Sequence, residues 1–543
     1  MWLFFLLLGT GLWPGTGTMA QGSSAEVGSR DATGYIGTSP AFSPEALGAA
    51  TNFGEDAEPV PRGWTVVPEL SVKEVFTDNL FLTASDEEQD LVTELTPRIN
   101  IYGNARRASV RVNYAPQGLL YANNGDENTL FHQLFSAGVC ELVRQLVFID
   151  GSATITQQNR TDTGRGVFTN FGPGTFLGGV GDNISITGER TTVTTYHLSP
   201  YLVQRLGDWA DAELRFGYDD VSRSDQDEPL DDSRGTTDST SQRYYAKIES
   251  GSRFNELPWK ATFERQEIDY ENADSTTFQE LLGTVRFVYS PELSPVGSLG
   301  YEDNSFRSAG DPARGIIWDV GVRWTPSGRT ALEATYGRRF FGDRYFFNLS
   351  HESRRTKWHI TYDEVPYTAR QAQIAEAVAA GGGAIPVIDP VTGLPTVSGA
   401  GIPTLNDTLS DEVYVQRRLS GGVVLEAGRN DFNILVFQEE RDYQATGVRG
   451  VRDDFWGASV LWTRNISRLT YLDMSVGWTS VEANSSLLVP RKDDLLGLHV
   501  GLRRELGRHL ISTIEYRRVE RSSTDPMADL VENRISAGIR LVF

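Results

Sequence analysis

The sequence predicts an all-β fold: a transmembrane antiparallel up-and-down β-barrel of about twenty-two strands, within a range of about 20 to 24. Three observations carry this. From Trp64 onward, segments of about ten to fifteen residues alternate apolar and polar side chains nearly end to end. No stretch reaches the eighteen or so apolar residues that a spanning helix needs, and a sheet that crosses lipid has to close on itself, because hydrocarbon offers a free strand edge no partner. The joins between segments fall into two alternating classes, tight and long, as they do in barrels with turns on one side of the membrane and loops on the other.

The elements follow in chain order. Trp2 to Leu8 form a short apolar core, and small residues then lead to Thr18-Met19-Ala20 before Gln21. This reads as a secretory signal over residues 1–20, although no Lys or Arg precedes the apolar run. Residues 21–63 are rich in Gly, Ser, Ala and Pro with little periodicity, the composition of a flexible periplasmic extension. About forty residues of that kind do not make a folded plug, so the expected barrel, residues 64–543, has no plug domain.

Within the barrel several strands show which face is wet. Over Ala210 to Tyr218, the set Ala210, Ala212, Leu214, Phe216 and Tyr218 opposes Asp211, Glu213, Arg215 and Gly217. Ile316 to Trp324 sets apolar side chains against Asp319 and Arg323, and Leu496 to Arg503 sets leucines and Val500 against His499 and Arg503. Charges at alternate positions are ruinous in lipid and comfortable in a watery lumen, so Asp211, Glu213, Arg215, Asp319, Arg323, Asp473, Arg503, Arg534 and Arg540 are the expected lumen lining.

Tight joins are expected near Gly103 to Arg106, Gly207 to Asp208, Gly428 to Asp431 and Gly507 to His509, among others. Two joins on the loop side are also short, near Glu271 to Ser275 and Gly342 to Arg344. The longest loops fall near residues 160–190 and 368–412. In the second, Ala369 to Ala380 has helical composition before Gly381-Gly382-Gly383 ends it, and it reads either as an inward-folded constriction or as a surface loop.

Composition narrows the function classes. The net charge of −22 excludes a nucleic-acid partner, which needs clustered cations. The mean hydropathy of −0.32 is what lumen and loop residues leave after diluting a lipid-facing surface. Cys140 is the single cysteine, so no intramolecular disulfide forms. The six histidines are scattered without metal-ligand spacing, no Gly-x-Ser-x-Gly element is present, and no phosphate-cradling loop precedes Lys-Ser or Lys-Thr. No catalytic residue, metal site or cofactor is expected. The acidic stretch Asp225 to Asp232 reads as a solvated loop, with a divalent cation bridging lipopolysaccharide as the lesser reading.

The final strand alternates to the end, with Ile535, Ala537, Ile539, Leu541 and Phe543 on one face. This resembles the C-terminal signal by which Gram-negative outer-membrane barrels are recognised by their assembly machinery. The opening segment Trp64 to Leu80, with Thr77-Asp78-Asn79 as its most distinctive part, resembles the start of outer-membrane barrels associated with the PEP-CTERM/exosortase system. Leu198-Ser199-Pro200-Tyr201-Leu202 and Gly538 to Phe543 are similar in character. An even strand count puts both termini in the periplasm, and a barrel there meets lipid, lipopolysaccharide and its assembly machinery; the resemblance implies a link to exopolysaccharide production and protein sorting at the envelope, with a possible export partner, and carries no catalytic residue. Three functions are therefore carried forward: a channel or export conduit, a non-conducting envelope-organising or assembly barrel closed by its loops, and, last, a barrel enzyme.

Overall fold

The computed structural model describes residues 63–160, 189–225, 238–271, 273–306, 313–368, 370–371, 386–388, 395–397, 413–444, 452–483 and 491–543. The signal peptide, the extension to residue 62, most of the two longest loops and most of the acidic stretch after Asp225 lie outside the described residues.

Twenty-two strands form one closed antiparallel sheet, each paired with its neighbours in sequence. The first, Gly63–Thr77, pairs with Asp90–Ala105 on one side and with the last, Leu530–Val542, on the other. Two strands are interrupted: Ala108–Tyr114 continues as Gln117–Tyr121, and Thr129–Phe131 continues as Leu134–Val143. A separate hairpin, Pro386–Ile388 with Pro395–Val397, lies in the long join. The expected alternation of joins is observed, down to the two short ones on the loop side at residues 271–275 and 340–341. In the two-residue turn after Val413–Ala427, Gly428 takes φ 72°, a conformation that a side chain resists.

The outer face is apolar. Leu214, Leu281, Leu299, Val320, Val476, Ile514 and Ile539 are each exposed. Aromatic belts flank this band, with Trp64, Trp209, Trp324, Trp358 and Phe543 near the turns and Tyr218, Tyr301, Tyr336, Tyr345, Trp456 and Trp478 towards the loops. Ile535, Ala537, Ile539, Leu541 and Phe543 all lie on this outer face. Aligned apolar side chains left bare around a closed sheet are stable only against hydrocarbon, so the chain is a membrane-spanning barrel of the outer-membrane kind.

Closure rests on the seam between first and last strands, where only Glu69–Thr77 is paired with Arg534–Val542, against fifteen paired residues on the other side of the first strand. The Thr77-Asp78-Asn79 motif extends it. Asp78 accepts the backbone N–H of Asn533 at 2.7 Å and its side-chain amide at 2.7 Å. Asn79 donates to the carbonyls of Val531 and Thr83 at 3.1 and 2.8 Å and accepts the Thr83 N–H at 3.0 Å, while Thr77 Oγ1 donates to Glu532 at 2.9 Å. A motif read in sequence as satisfying donors at a loop entry therefore clasps strands more than 450 residues apart. Replacing Asp78 and Asn79 together by Ala is expected to cost about 2–4 kcal/mol, at about 1–2 kcal/mol per buried polar link, and to lower the temperature at which the folded form is lost on heat-modifiability gels. An unchanged transition would show that the clasp adds nothing.

Candidate functional site

The inner wall is polar, and its two ends differ. Towards the loops, inward side chains are buried all round the ring, among them Thr77, Val92, Thr195, Ser241, Glu302, Asp453, Asp493 and Glu532. Towards the turns burial is uneven: Lys247, Glu213 and Glu249 keep 22, 18 and 37 % of their side-chain surface, while Asp150, Ser350 and Asp473 are buried. The described inner wall is thus covered near the loops and partly reachable near the turns.

Part of the filling is visible at the foot of the long join. Thr368, the last residue of Thr356–Thr368, and Gln371 form a reciprocal capping box: the Thr368 N–H donates to Gln371 Oε1 at 2.8 Å and the Gln371 N–H to Thr368 Oγ1 at 3.3 Å. This is how a strand gives way to a helix within one turn, and Arg370 and Gln371 are helical as the composition predicts; the remainder of that segment lies outside the described residues. Arg370 is buried and reaches the far wall, its Nε donating to Ser239 Oγ at 2.9 Å and its Nη2 to the Asp219 carbonyl at 3.3 Å. At the other foot Val413 packs in one cluster with Ile268, Tyr270 and Phe278. Both feet point inward, and the rest of the join, on which the choice between constriction and surface loop turns, lies outside the described residues.

Asp219 belongs to a buried charge cluster that joins three strands. Its Oδ1 lies 2.6 Å from His197 Nδ1, and His197 Nε2 lies 3.4 Å from Asp150. Arg215 bonds Asp150 at 2.7 Å, Glu213 at 3.0 Å and Ser199 Oγ at 2.9 Å, and its guanidinium lies 3.9 Å above the Tyr201 ring. A second cluster holds Arg339 between Glu280 and Glu302 at 2.7 and 2.8 Å. A third sets Glu439 between Arg441 and Arg418 at 2.7 and 3.1 Å, with Arg441 over Tyr414 and Phe455. In these clusters the charges are matched within hydrogen-bonding distance, so they brace the wall and present little free field.

The sequence-predicted lining residues divide accordingly. Arg215 sits inside the first cluster. Arg534 is tied to Glu532 at 2.8 Å, and Asp211 meets Arg205 at 3.4 Å on the exposed rim. Asp319 and Asp473 are buried, and Arg503 stacks over Tyr471 at 4.7 Å. Arg323 and Arg540 are half-buried on the inner face. Asp150, His197, Asp219, Arg339 and Arg370 were missed in the sequence, because their partners lie on strands or joins that periodicity within one segment cannot pair. Among the described residues no group of His, Cys, Asp and Glu is arranged to hold a metal ion.

No protein-family model matches the chain, and no curated protein matches it significantly. Solved structures similar to it include the siderophore receptor PirA from Acinetobacter baumannii, at TM-score 0.49 and 8 % identity over 90 % of this chain and 81 % of that one. BauA, the ferric preacinetobactin receptor of the same species, gives 0.45 and 10 % over 88 % and 80 %, and OccK2 (OpdF) of Pseudomonas aeruginosa gives 0.35 and 8 % over 89 % and 100 %.

Two outcomes test the site. Arg339→Ala strands two buried carboxylates and is expected to cost about 3–5 kcal/mol, read as a lower urea midpoint, whereas Arg323→Ala on the half-buried face is expected to leave the midpoint within error. Equal effects of the two would show that the Arg339 cluster does not brace the wall.

Proposed function

We propose that the protein is a channel of the Gram-negative outer membrane, closed at its loop end in this state and entered from the turn end. The observation that carries the proposal is the contrast along the inner wall: buried towards the loops, with reachable charges such as Lys247, Glu213 and Glu249 towards the turns. A barrel of this girth is too wide for its own wall side chains to fill, so a lumen filled on one side and open on the other is a conduit with a closure.

Both termini would lie in the periplasm with the turns, a reading supported by the even strand number and by the tight turns that such barrels keep on that side. We take the closure to come from the barrel's own joins, supported by Arg370 at the foot of the long join, which bonds Ser239 and the Asp219 carbonyl across the lumen. No catalytic role is proposed. The cargo would be a hydrated polar molecule, with exopolysaccharide or its fragments the class implied by the resemblance of Trp64 to Leu80. Arg417 with Glu440 and Arg265 with Glu267, pairs on the outer face near the loop end, stand at a height suited to lipopolysaccharide headgroups.

The rival, a non-conducting assembly or organising barrel, draws on the same burial, and conductance separates the two. In a planar bilayer the intact protein is expected to give small or rare openings, and a variant lacking residues 369–403 to give steady large steps. Silence in both would move the assignment to the assembly role. In the opened variant, Arg323→Glu with Arg540→Glu is expected to shift selectivity towards cations; unchanged selectivity would remove these two residues from the conducting path.

A further inference from the structure

The barrel wall has a flaw in its hydrogen bonding, placed where it is costly. Asp90–Ala105 pairs with the interrupted strand beside it in one register above and below the interruption: Leu95 faces Gly118, and Ile99 faces Tyr114. The same register sets Pro97 opposite Pro116, and Thr96, Pro97 and Arg98 have no ladder partner on that side.

The backbone direction at this rung follows from its neighbours. The Phe543 N–H donates to the Pro68 carbonyl across the seam, so alternate residues of the first strand from Pro68 turn their polar groups to the seam, and odd-numbered residues of the next strand turn theirs towards Pro116. The Ala122 N–H donating to the Leu91 carbonyl at 3.0 Å agrees. Pro97 and Pro116 thus occupy a rung whose two residues would normally exchange two N–H to carbonyl bonds, and neither has an N–H. Two carbonyls face each other without ladder donors, and about 13 Å of wall, four residues at about 3.3 Å each, runs between intact rungs.

The flaw does not extend into the next ladder. On the far side of the interruption, Ala115 and Gln133 exchange both backbone bonds, at 2.9 and 3.3 Å. The inner face is laced by side chains, with Asn100 donating to Glu69 at 2.9 Å, Asn113 to Asn100 at 2.7 Å and Gln133 to Gln117 at 3.3 Å. The outer rim is apolar, with Leu95, Ile99 and Leu120 exposed around Pro97.

We propose that this rung is a lateral opening, a slit through which the hydrocarbon chain of an amphiphile from the bilayer enters the wall while its hydrogen-bonding head meets the two carbonyls and the polar inner face. Unpaired backbone acceptors inside a membrane cost several kcal/mol and persist where they line a path or a site. The apolar rim, the acceptor pair and the amide-rich interior, met in that order from outside, match a molecule with one greasy and one donor-bearing end. The proposal rests on the barrel alone and stands whether or not the main lumen conducts.

The test uses the full chain in lipid vesicles with Cys140→Ala as background and a long-chain alkyl maleimide confined to the bilayer as probe. Ala115→Cys places a buried thiol behind the flaw, and Ser298→Cys places one on the inner face behind complete ladders. The Ala115 position is expected to label at least about tenfold faster than the Ser298 position. Adding Pro97→Val with Pro116→Val, which restores both N–H donors, is expected to bring the rate down to the Ser298 level. Equal labelling at the two positions, no labelling at either, or a rate that survives restoration of the donors would each overturn the proposal. Heat-modifiability of every variant reports that the barrel has folded.

Discussion

The constraint on which this molecule depends is that lipid offers no hydrogen bond. Every backbone N–H and C=O in the spanning region has to find its partner within the sheet, so the sheet has to close, and closing a 22-stranded sheet brings together strands from opposite ends of the chain. The seam carries that closure with fewer pairs than the neighbouring ladder has, which is why a three-residue polar motif beside it matters: Asp78 and Asn79 add side-chain links beyond its loop end.

Closure creates the second problem, a lumen too wide for wall side chains to fill. The response is division of labour along the axis. Towards the loops the interior is packed, with charges tied into groups such as Arg339, Glu280 and Glu302, and with the join after Thr368 turned inward and bonded to the opposite wall through Arg370. Towards the turns, charges such as Lys247 and Glu213 remain in reach of solvent. Buried pairs hold geometry and exposed ones present a field, so the same residue types brace one half of the wall and line the other.

Against this background the opposed prolines stand out. At their rung neither residue carries an N–H, and the adjoining inner face is reinforced by Glu69, Asn100, Asn113, Gln117 and Gln133. A strand can tolerate Pro at an edge, where the missing donor faces no acceptor; here both partners of one inner rung lack it.

Much of the fold was legible in the sequence because the lipid and the lumen act on each strand separately. A two-residue period records which face is wet, so the alternation of Ala210 to Tyr218 and of Ile535 to Phe543 was enough to place strands, turns and outward faces. Pro97 and Pro116 were visible as letters, yet their opposition was not, since it depends on the register between strands. For the same reason Arg215 and Arg534 read as lining charges and proved to be paired ones, and Arg370 gave no sign of crossing to Asp219. The sequence by itself determined the strand number, the wet and greasy faces and the helical start after Thr368, because each depends on the local period of side chains against two solvents. Only the tertiary structure decided which charges neutralise each other, where the lumen is filled and which rung of the wall goes unbonded, because those depend on side chains that meet across strands far apart in the chain.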